Sequence, residues 1–278
     1  MSAAPLQVVG ALLGTAVFRW NQPVAAAVLI SDLHVPSDGG AAFAHLQDAV
    51  AAARQAQRPL FVLGDLFDSY VSAAQVRTGI WRDTAALFGA AVAGGSPVVI
   101  LHGNRDFLLG AEFERASGAR VVAGALRVAL AGVETLLAHG DELCQRDLPY
   151  QRAKRWLRHP VTRFVGRHLP LSLALSLAER ARRRSRAVIA SGDQSRFLPT
   201  AAAVAAAFAD GVQQLVFGHI HRHATGEVGG GRYRVLPAFD QDGVGLLADD
   251  RGLRPVRFLP GGQVEPVDEP GPCPFPAA

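Results

Sequence analysis

Three features of this 278-residue sequence predict an α/β fold. Short apolar runs, of which Leu60–Leu63 and Val98–Leu101 are typical, are too brief for most helices and alternate with Ala-rich stretches of helix length. The runs are continuously apolar, as expected of parallel strands covered on both faces. Each of the first three also ends in side chains of metal-ligand type, and in open α/β sheets ligands gather beyond the carboxyl ends of the strands.

The elements follow in order. Leu6 to Phe18 is mostly apolar, but no Lys or Arg precedes it, and Arg19 and Asn21 end it well short of the roughly 20 residues that span a bilayer. Residues 1–23 are therefore expected to form an added strand or a loose arm. Val24–Ile30 reads as one buried strand delivering Asp32 and His34. Ala41–Gln57 reads as a helix that Pro59 stops, and Leu60–Leu63 as a second strand delivering Gly64-Asp65-Leu66-Phe67-Asp68. Ser72–Ala93 is a further helical stretch, and Val98–Leu101 a third strand that ends in His102-Gly103-Asn104-Arg105-Asp106. Arg120–Val122, Leu126–Leu130 and Val133–Ala138 are short strands between Gly turns, the last ending at His139-Gly140-Asp141; they predict a second sheet. Thr200–Phe208 reads as a helix, Gln213–Phe217 as a strand delivering Gly218-His219-Ile220-His221, and Glu227-Val228 with Arg232–Leu236 as a hairpin through three glycines. Val244–Leu247 and Val256–Leu259 add strands. The Pro- and Gly-rich tail, residues 260–278, is expected to be disordered.

Charge is uneven. Between Arg146 and Arg196 there are 13 Lys/Arg and 3 Asp/Glu, a local balance of +10 against +4 overall, which leaves −6 on the remainder. Such a basic block is a candidate surface for phosphates, nucleic acid or an anionic membrane. The two cysteines, Cys144 and Cys273, form no C-x-x-C pair, so neither a disulfide framework nor a zinc ribbon is expected and a cytoplasmic location is the default.

Taken singly, each ligand-type stretch could be a hydrogen-bonded turn. Taken together they supply imidazole, carboxylate and amide donors for a pair of divalent cations, with Asp65 as the natural bridging carboxylate. This mixed set suits manganese, with iron or zinc as alternatives, better than calcium or magnesium.

The ordered motifs from Asp32-Leu33-His34 to Gly218-His219-Ile220-His221 resemble those of the calcineurin-like metallophosphoesterase superfamily. That resemblance implies an αββα sandwich of two mixed sheets over residues 24–259, with a helical lid insertion at about 147–197. It also implies a ligand allocation: Asp32, His34 and His221 for one metal, Asn104, His139 and His219 for the other, and Asp65 bridging. Catalysis would then rest on Asp65, Asn104, Arg105 and His139, with a water activated by the metals attacking phosphorus.

Within the superfamily, Phe61–Asp68, His102–Gly110 and His139–Cys144 are most similar to the UDP-2,3-diacylglucosamine diphosphatases of lipid A biosynthesis, and Arg105 in place of the superfamily's usual His is the most discriminating position. This likeness implies cleavage of UDP-2,3-diacylglucosamine to UMP and 2,3-diacylglucosamine 1-phosphate (lipid X). It also implies two Mn2+ ions, with Asn104, Arg105, Asp147, Tyr150, Ser185 and His219 touching substrate. The expected partners are the lipid nucleotide and the anionic inner membrane of a Gram-negative bacterium, with no nucleic acid; the oligomeric state is left open, a monomer being favoured. The alternative is a metallophosphoesterase for another nucleotide, dinucleotide or phosphodiester.

Overall fold

The computed structural model describes residues 6–169, 171–177, 179–180, 183, 194–273 and 275. One sheet is built around four parallel strands, β3 (Ala27–Ile30), β4 (Leu60–Val62), β5 (Val98–Leu101) and β6 (Arg120–Val122). It is extended antiparallel from β3 by β12 (Val244–Asp249), β13 (Gly252–Leu259) and β14 (Gln263–Pro266). The other sheet has the order β1 (Gln7–Leu12), β2 (Thr15–Val24), β7 (Ala125–Leu130), β8 (Val133–Leu137), β9 (Gln214–Phe217), β11 (Gly231–Val235), β10 (Ala224–Val228). Parallel and antiparallel pairings occur in both.

Side-chain alternation along the buried strands builds the layers. In β3 to β5, Val28, Ile30, Val62 and Ile100 face a core shared with helices α1 (Gly40–Gln55), α2 (Gly79–Ala93) and α3 (Ala111–Ser117). Leu29, Phe61, Val99 and Leu101 face the other sheet and meet Leu126, Val128, Leu130 and Val216. The outer face of that second sheet, through Ala125, Leu136, Leu215 and Phe217, is covered by Ala203 and Val204 of α6 (Ala201–Ala206). The result is helix, sheet, sheet, helix. Strands buried on both faces have no polar side to display, which is why their sequences are continuously apolar.

Helix α1 shows the same logic, since Ala42, Leu46, Ala49, Val50 and Ala53 recur at helical spacing and are buried. The helical stretch Ser72–Ala93 is divided, because Thr78 is extended (φ −134°); Ser72 caps a 3-10 turn over Ala73–Arg77, and α2 follows. Beneath it, Phe67, Tyr70, Phe88 and Phe113 form an aromatic cluster with ring centroids 5.8–6.4 Å apart, which anchors the loop after β4.

Two expectations are corrected, and that of an added strand at the N-terminus is met. Val24–Ile30 is not one strand: β2 ends at Val24, Ala25 and Ala26 bend, and β3 begins in the opposite sheet. Both halves pack between the sheets, so the apolar run gave no sign of the break. The N-terminal arm is a hairpin, and β2 pairs in parallel with β7, which makes it an integral edge of the second sheet. The tail is ordered at least in part. Gln263–Pro266 pairs with β13 at the sheet's edge, where a proline costs no ladder bond, and Cys273 and Phe275 dock in the outer core.

The basic segment begins with α4 (Leu148–Leu157) and α5 (Pro160–His168), separated where Pro160 opens the second helix. Among the described residues, no helix is long and apolar enough to cross a membrane.

Candidate metal centre

Every candidate ligand lies two to four residues beyond the carboxyl end of a strand: Asp32 and His34 after β3, Asp65 after β4, Asn104 after β5, His139 after β8, His219 and His221 after β9. Because these strands run in the same sense within each sheet, their loops converge at one end of the sandwich. Backbone hydrogen bonds tie the loops directly: Asp32 N–H to Gly64 O (3.2 Å), His34 N–H to Asp65 O (2.9 Å) and Gly218 N–H to His139 O (2.9 Å).

Asp32, His34, Asp65, His219 and His221 all have left-handed backbone, with φ between 45° and 69°. This conformation is uncommon for residues with a Cβ and persists only where the surroundings enforce it. Its concentration in five of the seven candidate ligands marks the loops as shaped for the site rather than for local comfort.

Two groups of donors result. In the first, His34 Nε2 and His221 Nε2 are 3.1 Å apart, and Asp32 Oδ1 lies 3.4 Å from His221 Nε2 and 4.0 Å from His34 Nε2. In the second, His139 Nε2 is 3.0 Å from Asn104 Oδ1 and 3.8 Å from Asp65 Oδ1, and the His219 ring lies 5.0 Å from that of His139. Asp65 faces both, since its other oxygen is 3.8 Å from His34 Nδ1. Asp32 is also within reach of both groups, through its approach to Asp65 and His139.

These spacings fit cations. Two donors about 2.1 Å from one ion and at right angles to each other are about 3 Å apart. Buried His34 Nδ1 has no hydrogen-bond partner and Asp32 Oδ1 has only the His221 ring nitrogen at 3.4 Å, which a bound cation and its shell would remedy. His139 Nδ1 donates to Leu63 O at 2.9 Å, so Nε2 is the nitrogen that would turn a lone pair to a cation once its proton is lost. The site can therefore hold divalent metal through Asp, His and Asn side chains.

Burial dominates the electrostatics. It would raise the Asp32 carboxyl, but the hydrogen bond from His221 and the nearby imidazoles hold it below the usual range. Burial lifts Asp65 to about 7, and it depresses His34 and His219 to about 3, with the Arg105 charge assisting at His34 and the His139 charge at His219. Burial would lower His139 as well, yet the charges of Asp65, Asp32 and Asp141 outweigh it and raise the imidazole to about 9. Coordination requires Asp65 ionised and His139 Nε2 unprotonated, so protons oppose cations on both residues. Cation affinity should therefore rise with pH between roughly 6 and 9, with protons released on binding. Titration calorimetry in buffers of different ionisation enthalpy measures this, and equal apparent heats in all buffers would contradict it.

Other residues brace the candidate ligands. Asp106, fully buried, accepts from Leu66 N–H (2.7 Å) and Gly103 N–H (2.9 Å), locking the loop after β4 to the loop after β5. Ser31 donates to Asp32 Oδ2 (2.6 Å), which also accepts from His219 N–H (2.8 Å). Arg105 donates to Asp68 (2.6 Å) and places its Nε 3.5 Å from Asp65, at the rim of the site. Asp106, Ser31 and Asp68 lie inside or beside the sequence motifs, yet nothing in the sequence separates a ligand from its brace. Only side-chain direction does that.

The expected substrate contacts fall in different places. Arg105 and His219 are at the cluster, and the Tyr150 ring stacks near His219 (centroids 6.5 Å apart, planes at 29°). Asp147 caps α4, accepting from Tyr150 N–H at 3.3 Å. Ser185 lies outside the described residues.

Residues 27–223, which include every candidate ligand, match the calcineurin-like phosphoesterase family. Over 236 residues the chain is 34% identical to the UDP-2,3-diacylglucosamine hydrolase of Pseudomonas fluorescens, covering 83% of this chain and 94% of that protein. It is 38% identical over 237 residues to the enzyme of the same name from Azotobacter vinelandii, covering 83% and 98%, and 36% identical over 241 residues to that of Pseudomonas putida, covering 83% and 99%.

Proposed function

Since the chain belongs to the calcineurin-like phosphoesterase family, we propose that it hydrolyses the diphosphate bond of UDP-2,3-diacylglucosamine, releasing UMP and 2,3-diacylglucosamine 1-phosphate (lipid X). The observation that carries this reading is the 34–38% identity, over nearly the whole length of relatives bearing that name. Water adds to one phosphorus, the bond to the bridging oxygen breaks, and each product keeps one phosphate.

Asp32, His34 and His221 would hold one cation, Asn104, His139 and His219 the other, with Asp65 between them. Manganese is proposed because the donors mix imidazole, carboxylate and amide. When bound, the two ions supply Lewis acidity that activates water and neutralises charge on the phosphoryl group. The chain's own residues do the rest. Arg105 at the rim offers a guanidinium to the diphosphate, for which it would exchange its Asp68 partner. The Leu63 carbonyl fixes the His139 tautomer, and the buried loops hold the ligands in place without reorganisation.

The basic segment is proposed to receive the acyl chains and to rest on the anionic inner face of a Gram-negative inner membrane. Trp156, Val161 and Phe164 are 77%, 63% and 65% exposed on helices that also carry Arg152, Arg155 and Arg163. Apolar side chains beside arginines suit an acyl pocket and a lipid surface better than a groove that tracks nucleic acid.

With Mn2+ present, purified protein is expected to release UMP from UDP-2,3-diacylglucosamine, followed by chromatography. Hydrolysis of an aryl phosphodiester without release of UMP would move the assignment to another phosphoester substrate.

A further inference from the structure

Asp141 follows His139 by two residues, is fully buried and lies outside the ligand set. Its Oδ2 is met by three side chains of one short stretch: it accepts from Tyr150 Oη at 2.5 Å and Arg158 Nη2 at 3.2 Å and forms an ion pair with Lys154 Nζ at 2.9 Å. Its carbonyl accepts from Gln151 Nε2 at 2.7 Å, so four residues of α4 and its C-terminal end converge on this one residue. Arg158 reaches on to the carbonyl of Gly103 (3.4 Å), next to Asn104, and Tyr150 stacks by His219. Lys154, itself buried, also lies 3.6 Å from Glu142 and 3.5 Å from Thr15 Oγ1. A buried carboxylate with a hydroxyl donor, a guanidinium donor and an ammonium ion pair is a strong and directional anchor.

We propose that Asp141 is a positioning residue. It fastens the first helix of the basic segment to the loops carrying His139 and Asn104, and through Tyr150 it sets the substrate-facing edge beside His219. The metal loops and the helix that leads to the exposed apolar residues are thus seated as one unit. Tyr150 gains a fixed hydroxyl and ring direction that neither α4 nor the cluster alone would impose. The proposal rests on the lipid-nucleotide reading only for its kinetic arm.

The test compares D141N, Y150F and the double variant, fully loaded with Mn2+. Amide hydrogen exchange in D141N should accelerate by about 10-fold across residues 148–168 while Val28–Ile30 and Val98–Leu101 stay protected. KM for the lipid nucleotide should rise by about 10-fold, with kcat and turnover of bis(4-nitrophenyl) phosphate within about 3-fold of the parent, as expected when one anchoring interaction is lost. The double variant should be no worse than D141N, because both changes break the same link. Unchanged exchange over 148–168 overturns the proposal, as does faster exchange everywhere with parallel loss on both substrates, or additive effects on KM. If D141N cannot be purified folded, D141N/K154M removes the buried ammonium that has lost its Asp141 partner and carries the same measurements. If the parent enzyme hydrolyses only the aryl ester, the substrate reading fails, while hydrogen exchange still decides the anchoring.

Discussion

Asp65→Ala is expected to abolish hydrolysis of any phosphoester by this protein, with kcat/KM falling by about 1,000-fold or more, since it removes the group that faces both donor clusters. Loss of fold should not be the cause. Asp65 is a buried carboxylate whose burial lifts it to about 7, so its removal relieves a desolvation cost in the metal-free protein. The melting temperature without metal should change little, because the loss of the hydrogen bond from Arg105 N–H offsets that relief. What disappears is stabilisation by cations, which for the parent amounts to about 2.7 kcal/mol at a hundredfold excess over Kd. Differential scanning calorimetry with and without Mn2+, alongside metal analysis of the dialysed variant, measures both effects. Retention of two tightly held ions with full activity would sink the bridging role.

Gly103→Ala should be nearly as damaging, though Gly103 has no side chain to contribute. A Cβ built there would fall on the Asp65 carboxylate and backbone nitrogen, both part of a buried loop that cannot withdraw. The loops after β4 and β5 are further locked together by Asp106 and by the Arg105 N–H bond to Asp65 (2.9 Å). Relief requires moving Asn104 or Asp65 by a substantial fraction of an ångström. Overpacking of this kind costs about 1–3 kcal/mol, and a displacement near 1 Å at a reacting centre can cost about 100-fold in rate. The expected outcome is a folded protein with a lowered melting temperature, weakened metal binding and kcat/KM reduced by about 100-fold. Gly10→Ala, with nothing within 4 Å of the new methyl, is the matched control and should behave as the parent. Equal behaviour of the two variants would show that the contact between the loops is slack.

The path from sequence to site was short where chemistry and position coincide. The apolar runs Leu60–Leu63 and Val98–Leu101, each followed within three residues by an acidic or amide side chain, located strand and candidate ligand together. The hairpin at the N-terminus and β14 were harder. A strand's partner lies far away in sequence, and β2 finds its neighbour in β7 more than a hundred residues on. The break at Ala25-Ala26 was invisible for a related reason: both flanking strands pack into the same inter-sheet core, so no change of polarity marks the switch between sheets.

By itself, the sequence determined the layered α/β class, the order of the ligand-bearing loops and the chemical kind of every donor, because short-range pattern and residue type carry that information. The tertiary structure supplied the distances at which these donors face one another and at which Asp65 meets both groups, and it alone decided that Asp106 and Asp141 brace rather than bind. These depend on side-chain direction and on left-handed backbone at five loop residues, which the packing of two sheets enforces.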